Sequence, residues 1–332
     1  MTSPIYFASG LDSQDRICAA YTGRGTSFEQ NHNFSFHWPP TTPHSGEDVN
    51  STSRDRSQHF NQNLQYLATQ LEFDPQRLTW PNGGWPHSGQ VIVAEDYKWV
   101  SSRRTGGIMP VVIDGSEERP VMYDGIVTRS SRFVLGVQGA DCQSIFLYAP
   151  ESGVISLVHA GWRALVKGVV GNAVDAMVGC GACRDDIVAY IGPGAGDRYM
   201  QFHWDDEMQA DIRDVFVEAG RQDLFRSSLV RHEMTEADRK ELALVLGKDI
   251  PIGFSFKLSA LAVCELEGHG VKSERITRND GSTIVDRQPP ADIESDGHFR
   301  YHSYRREKPN HGLSTSVLFI KADAKAKPAN NG

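Results

Sequence analysis

Nothing in this sequence is long and greasy enough to cross a bilayer. The 332 residues contain no unbroken apolar run approaching the ~18 residues a spanning helix needs. The start, MTSPIYFASGLDSQDR, has no basic segment followed by an apolar one, so no secretory leader is expected there. Basic blocks are missing too. Thirty-four Lys and Arg stand against 42 Asp and Glu, a net charge of −8, which argues against a nucleic-acid partner. Cysteine is sparse and odd in number, five residues at 18, 142, 180, 183 and 264. Free thiols in a reducing, cytoplasmic setting are the expectation. Several motifs are absent as well. Gly192-Pro193-Gly194-Ala195-Gly196 is not GxGxxG and lacks a Walker lysine, and His232-Glu233 is not part of HExxH. Cys180-Gly181-Ala182-Cys183 has no second CxxC to complete a zinc site and reads as a helix-end turn.

What is present concentrates between residues 124 and 163. Phe133–Val137, Ile145–Tyr148 and Ile155–Val158 are short apolar runs, the pattern of buried strands. The first leads into Gly139-Ala140-Asp141-Cys142 and the last into His159-Ala160-Gly161-Trp162-Arg163. A sheet fixes groups placed at its strand ends, while the following loop opens them to substrate. Thiol and imidazole are both metal ligands and both members of nucleophile pairs. Cys142 and His159 therefore allow a metal site or a Cys–His hydrolase, with Cys142 as nucleophile, His159 as base and Asp141 nearby. Taken singly, each is as well explained as a buried thiol or a satisfied polar group.

Along the chain, residues 15–23 read as a first strand and 38–56, rich in Pro, Ser and Thr, as a surface loop. Phe60, Leu64, Leu67 and Leu71 mark one face of a helix over Ser57–Leu71. Val91–Val93 is a strand with His87 just before it. Residues 97–120 read as a hairpin or lid, where Arg103 and Arg104 are either anion contacts or solvated surface charges. An amphipathic helix is expected over Leu165–Val178, with Gly168 and Gly171 serving close packing, then a strand at Ile187–Ile191. Residues 203–250 read as helical and Leu258–Glu267 as a helix. The end, 321–332, reads as a low-complexity disordered tail on a single domain spanning 1–320.

DGIVT, GADC, VHAGWR and AYIGP follow one another in an order and spacing that resembles the laccase-domain family, also called multicopper polyphenol oxidase or YfiH-like. The resemblance runs over 87–202 and resumes at 257–271 and 299–320, where Ser303-Tyr304-Arg305-Arg306 stands. It implies an α/β fold, one layered α/β/β/α domain with mixed β-sheets, with 38–56 and 97–120 as insertions. It implies purine nucleoside phosphorylase activity with adenosine deamination beside it, hence a nucleoside substrate and phosphate. His87, Cys142 and His159 become the metal ligands, for zinc with copper possible. Three ligands and an open position is the arrangement of a catalytic zinc. Asp141 becomes a supporting carboxylate or base. Arg163, Arg305 and Arg306 become the anion contacts, and Trp162 and Tyr199 the purine-stacking rings. The chain departs from the family at Ala164-Leu165 (usually Gly-Thr), at Asp197-Arg198 (usually Cys-containing) and over 275–298, where a Cys-Thr pair is missing. These departures predict an intact metal site with an altered substrate pocket. Copper-dependent oxidation of a phenol-like substrate remains open. None of the 12 histidines is spaced His-x-His, though, so a cupredoxin-type four-copper enzyme is not expected. A hydrolase similar to toxin-type cysteine deamidases, and an accessory protein without activity, also remain open.

Overall fold

A computed structural model describes residues 5–24, 34, 49–81, 85–102, 106–199, 206–251, 253–287, 299–307 and 312–321. Arg103 and Arg104, residues 322–332 and most of the 38–56 segment lie outside them.

The apolar runs of the central stretch build a six-stranded sheet. Its strand order is Ile276–Arg278, Val188–Ile191, Gln143–Ala149, Val154–Ala160, Gly125–Thr128, Val91–Val93. Gln143–Ala149 and Val154–Ala160 pair antiparallel with Ile145 opposite Val158, and every residue of both strands is buried. Such strands have no solvent face, so they read as continuous apolar runs rather than as alternation. Alternation is still present in where the side chains go. Ile145, Leu147 and Val158 join a core with the helices, whereas Phe146, Tyr148, Ile155 and Leu157 face a second sheet. Truncating Leu157 to Ala would cost about 2–5 kcal/mol through lost transfer energy and a residual cavity.

The second sheet runs Ile5–Phe7, Ile17–Thr22, Ser314–Ile320, Val134–Gly139, Leu78–Thr79, Ile108–Asp114, Lys98–Ser101, with Glu117–Pro120 paired to Ile108–Asp114. Both sheets are mixed: Val91–Val93 runs parallel to Gly125–Thr128, and Leu78–Thr79 parallel to Val134–Gly139. Between the sheets pack Tyr21, Leu135 and Leu318 against Ile126, Phe146 and Leu157. Helices Trp162–Val166, Val169–Gly179 and Leu258–Gly268 cover the six-stranded sheet, and Phe60, Leu64 and Leu67 of the helix Val49–Leu71 cover the other. The layering is α/β/β/α.

Three local readings change. The first helix begins at Val49, eight residues before the expected start, through a polar run with no apolar face to betray it. The helix expected over Leu165–Val178 is two helices, broken where Gly168 adopts φ +82. Gly171 does serve close packing, since a Cβ there would stand 2.2 Å from His269 Nε2. Residues 203–250 are not purely helical: Arg231–Glu233 pairs with Phe254–Phe256 as a small separate sheet. No helix among the described residues is long and apolar enough to cross a membrane, and all five cysteines are free.

Candidate metal centre

His159 is the penultimate residue of the strand Val154–Ala160, 3% exposed, on the same side of the sheet as Ile155 and Leu157. Its backbone N–H donates to the carbonyl of Asp124, 2.7 Å away. The imidazole stacks on Trp85, with ring centroids 4.7 Å apart and planes 22° apart. Nδ1 is buried and makes no hydrogen bond; it faces Asp124 Oδ1 at 3.9 Å.

His87 comes from a loop that the same aspartate shapes. Asp124 is fully buried at the head of the strand Gly125–Thr128. Its Oδ1 accepts the His87 N–H at 2.9 Å. Its Oδ2 accepts the Ser88 N–H at 2.7 Å, the Gly89 N–H at 2.9 Å and the Ser88 hydroxyl at 3.3 Å. These bonds hold His87 at φ +52, a left-handed conformation that a non-glycine residue adopts only under constraint. Asn172, on the helix Val169–Gly179, donates to the Gly89 carbonyl at 2.9 Å and ties the loop down from the other side. The His87 and His159 rings then lie 5.2 Å apart.

Cys142 lies beside these residues, and Gly161 shows where. A Cβ on Gly161 would stand 3.0 Å from His87 Nδ1 and 3.2 Å from Cys142 Sγ. Gly161 has an ordinary φ of −69, so space rather than backbone conformation requires glycine there. The thiol thus lies on the same side of Gly161 as the His87 ring, next to a tighter group that does not include it. His87, Asp124 and His159 offer ligand atoms within 4.8 Å of one another. Asp124, which already accepts four hydrogen bonds from the His87 loop, is the third member of that group. Two imidazole nitrogens and a thiol, with His159 buried and His87 and Cys142 part-buried, are a donor set that fits a zinc or copper ion.

The electrostatics follow the geometry. Burial alone would depress the His159 imidazole, but Cys142 and then Asp124 outweigh it and push it up to about 9. Burial pulls His87 down, aided by His159, Arg163 and Lys167 and opposed by Asp124. Asp124 is held below the usual carboxylate range: burial opposes ionisation, and His159 and the Gly89 and His87 N–H groups overcome it.

The other residues singled out in the sequence scatter. Asp141 is 2% exposed at φ +78, and its carboxylate accepts the Thr283 hydroxyl at 2.6 Å and the Arg305 N–H at 2.8 Å. It ties remote chain to the Cys142 turn. Arg163 is half-exposed, lies 4.4 Å over the Trp162 ring and pairs with Asp211 at 2.9 Å. Arg306 is a correction. Its guanidinium is 5% exposed and donates to the carbonyls of Thr283, Ile284 and Tyr301 and to Glu307, so it clamps chain and has no open face for an anion. Tyr199 is likewise built in, 7% exposed in the helical core with its hydroxyl on Glu241 at 2.7 Å. Asp124 and Trp85 were missed. Asp124 stands in the quoted DGIVT, and its only signal was an acid at the head of an apolar run.

Comparison with known proteins now adds to this geometry. A purine nucleoside phosphorylase, ORF3, from Streptomyces griseus is 31% identical over 150 residues, 45% of this chain and 53% of that protein. An adenosine deaminase, RL5, from an unknown prokaryotic organism is 33% identical over 127 residues, 38% of this chain and 44% of that protein. The chain thus spans about half the length of the curated relatives it matches. The solved hypothetical protein YfiH from Bacillus licheniformis shares the fold at TM-score 0.63 and 17% identity, covering 96% of this chain and 97% of that one. The Neisseria meningitidis protein NMB0706 gives TM-score 0.55 at 18% identity, covering 96% and 100%. The family described as multi-copper polyphenol oxidoreductase laccase matches residues 40–321, most of the sequence, and the chain belongs to it.

Proposed function

We propose that the protein is a metal-dependent enzyme that splits purine nucleosides with phosphate, using zinc, or copper in its place, held by His87, Cys142 and His159. The observation that carries this is the convergence of His87 Nδ1 and Cys142 Sγ on Gly161, beside a His159 backed by Asp124. The relatives named purine nucleoside phosphorylase supply the substrate class. In phosphorolysis a phosphate oxygen bonds to C1′ of the sugar as the bond from C1′ to the purine nitrogen breaks. The base leaves with the electron pair and takes up a proton. A divalent ion in the site supplies a Lewis acid to this exchange. Asp124 fixes the His87 backbone and faces His159 Nδ1, so the loop and the His159 ring are held before substrate arrives. Arg163, whose charge reaches His87 and whose guanidinium lies on the Trp162 ring, meets the phosphate. Ala164-Leu165 and Asp197-Arg198, departures from the family pattern, favour a narrower substrate range.

The test is metal content by elemental analysis of protein purified without added metal, for wild type and Cys142→Ser, followed by a nucleoside screen with phosphate. About one zinc per chain, lost in the variant, with phosphate-dependent release of base, is the expected result. Copper in the site with oxidation of phenols and no phosphate requirement would move the assignment to polyphenol oxidation. A second reading has its own observation, since Cys142 and Asp124 flank His159, the carboxylate 3.9 Å from Nδ1, in the order of a thiol–imidazole–carboxylate arrangement. A hydrolase working through it keeps its activity under chelation and loses it on thiol alkylation.

A further inference from the structure

A metal-binding imidazole is commonly angled by a hydrogen bond from its ring to a carboxylate or a carbonyl. His159 Nδ1 makes no such bond. The Asp124 oxygen that faces it stands off at 3.9 Å, beyond hydrogen-bond length. Asp124 is not free to close that gap, because both its oxygens are committed to the backbone of residues 87–89. Its charge bears on the ring, but no bond to it fixes the ring's angle. The torsion that turns a histidine ring is broad and roughly two-fold, so the angle has to come from packing.

Trp85 supplies that packing. Its indole stacks on the imidazole, with centroids 4.7 Å and planes 22° apart. Turning the imidazole about its Cβ–Cγ bond would drive a ring edge into the indole face. The indole is itself held. It stands edge-on to Tyr123, centroids 6.3 Å and planes 82° apart, and Tyr123 is fully buried in the inter-sheet core against which Trp85 packs. The local sequence stiffens it further. Pro86 follows Trp85, and a proline fixes its own φ and keeps the residue before it extended. Trp85 and His87, on either side of it, are thereby set relative to one another, while Asp124 accepts the His87 N–H at 2.9 Å. One short segment reaches both imidazoles, carrying one and stacking on the other, with the two rings 5.2 Å apart and tilted by 52°.

We propose that Trp85 is the positioning residue of His159: its stacked indole sets the imidazole's angle, and Trp85-Pro86-His87 is a stiff unit that orients both histidines. The purpose of that orientation rests on the metal reading above, whereas the geometry rests on the stack alone.

The experiment compares wild type, Trp85→Phe and Trp85→Leu, with folding checked by circular dichroism and denaturant unfolding. Competition with a metal-sensitive dye reads zinc affinity. Cobalt(II) in place of zinc gives a visible spectrum that reports ligand geometry. Proton–nitrogen NMR of metal-free protein labelled at histidine reads the His159 ring directly. Trp85→Leu should bind zinc about 10–100-fold more weakly. Its cobalt bands should shift, and its His159 signals should broaden or double as the ring samples a second angle. Trp85→Phe keeps an aromatic face, so its zinc affinity should stay within about threefold of wild type, with one set of His159 signals. A single sharp His159 set in Trp85→Leu, as in wild type, overturns the proposal whatever happens to stability. So does a Trp85→Phe protein as impaired as the leucine variant, which would make the indole's bulk the requirement and not its stacked face. A wild type that takes up no metal, with ring signals that still respond as expected, removes the metal reading and keeps the positioning role. Should Trp85→Leu not fold, Trp85→Met takes its place.

Discussion

Two turns bring the candidate ligands together, and they are pinned in opposite senses. The His87 turn and the Asp141-Cys142 turn each hold a non-glycine residue in the left-handed region, at φ +52 and +78. Each is secured by one buried aspartate. Asp124 sits in the sheet and gathers three consecutive N–H groups of the His87 loop, so the loop depends on the sheet. Asp141 sits in the turn itself and reaches out to Thr283 and Arg305, so distant chain depends on the turn. The same residue type builds the candidate site in one place and holds the periphery to it in the other.

The largest expected effect breaks the first arrangement. Asp124→Ala strands buried N–H groups and removes the charge facing His159. It should cost about 3–5 kcal/mol of stability, the scale of breaking a buried charged pair. Asp124→Asn keeps the shape but loses the charge and one acceptor, because its amide NH2 faces backbone N–H groups, and metal affinity should fall by about 10–100-fold. Denaturant unfolding and competition with a metal-sensitive dye read the two effects. An Asp124→Asn protein that binds metal like wild type would show that the carboxylate only shapes the loop.

Asp141→Ala is next. Two hydrogen bonds to a charged acceptor are lost, about 2–4 kcal/mol, and alanine keeps the strain of positive φ. Asp141→Gly loses the same bonds without that strain and should recover about 1 kcal/mol of the difference. Both variants should still take up metal when it is saturating. If Asp141→Ala loses the metal as completely as Asp124→Asn, the two turns form one unit and the contrast between them is void.

This contrast marks how far the sequence could be read. The strands that end at Cys142 and His159 were legible because buried strands are continuous apolar runs, and a polar residue at their ends stands out. The two layers of helix over mixed sheets followed from the family resemblance. Asp124 was not legible as a site residue: the groups it binds lie 35–37 positions earlier, and nothing local marks them. Arg306 misled for a chemical reason. A guanidinium fork suits backbone carbonyls as well as phosphate, and only burial decides between them. The strand Arg231–Glu233, Arg-His-Glu, has no strand signature and exists through its backbone pairing with Phe254–Phe256.

The arginines sharpen the comparison at smaller cost. Arg163 pairs with Asp211 with both side chains largely in water, so Arg163→Ala should move stability by no more than about 0.5 kcal/mol. If Arg163 meets phosphate, its loss raises the phosphate KM and leaves metal content alone. Arg306→Met should do the reverse. It loses a buried clamp on three carbonyls, so stability falls by about 1–3 kcal/mol while the phosphate KM of the folded enzyme holds. A raised phosphate KM in Arg306→Met would return that residue to the binding machinery.

The finest test uses pH on the same C-terminal segment. Glu307 is buried among His302, Arg24 and Arg306. Burial opposes its ionisation, but His302 first and then the two arginines hold its carboxyl down to about 2, against an ordinary value of 4.5. A carboxylate depressed on folding stabilises the protein fully above its unfolded value, and that contribution is lost as pH falls through the folded one. The melting-temperature gap between wild type and Glu307→Gln should therefore be constant above about pH 5, shrink between 4.5 and 2, and close near 2. Protonation then leaves wild type with what the amide already has, a neutral group among cations. A gap that persists unchanged down to pH 2 would mean that Glu307 holds the segment by packing and neutral hydrogen bonds rather than by its charge. The clamp around Arg306 would then be a steric fixture like the Gly161 contact, not an ionic counterpart to Asp124.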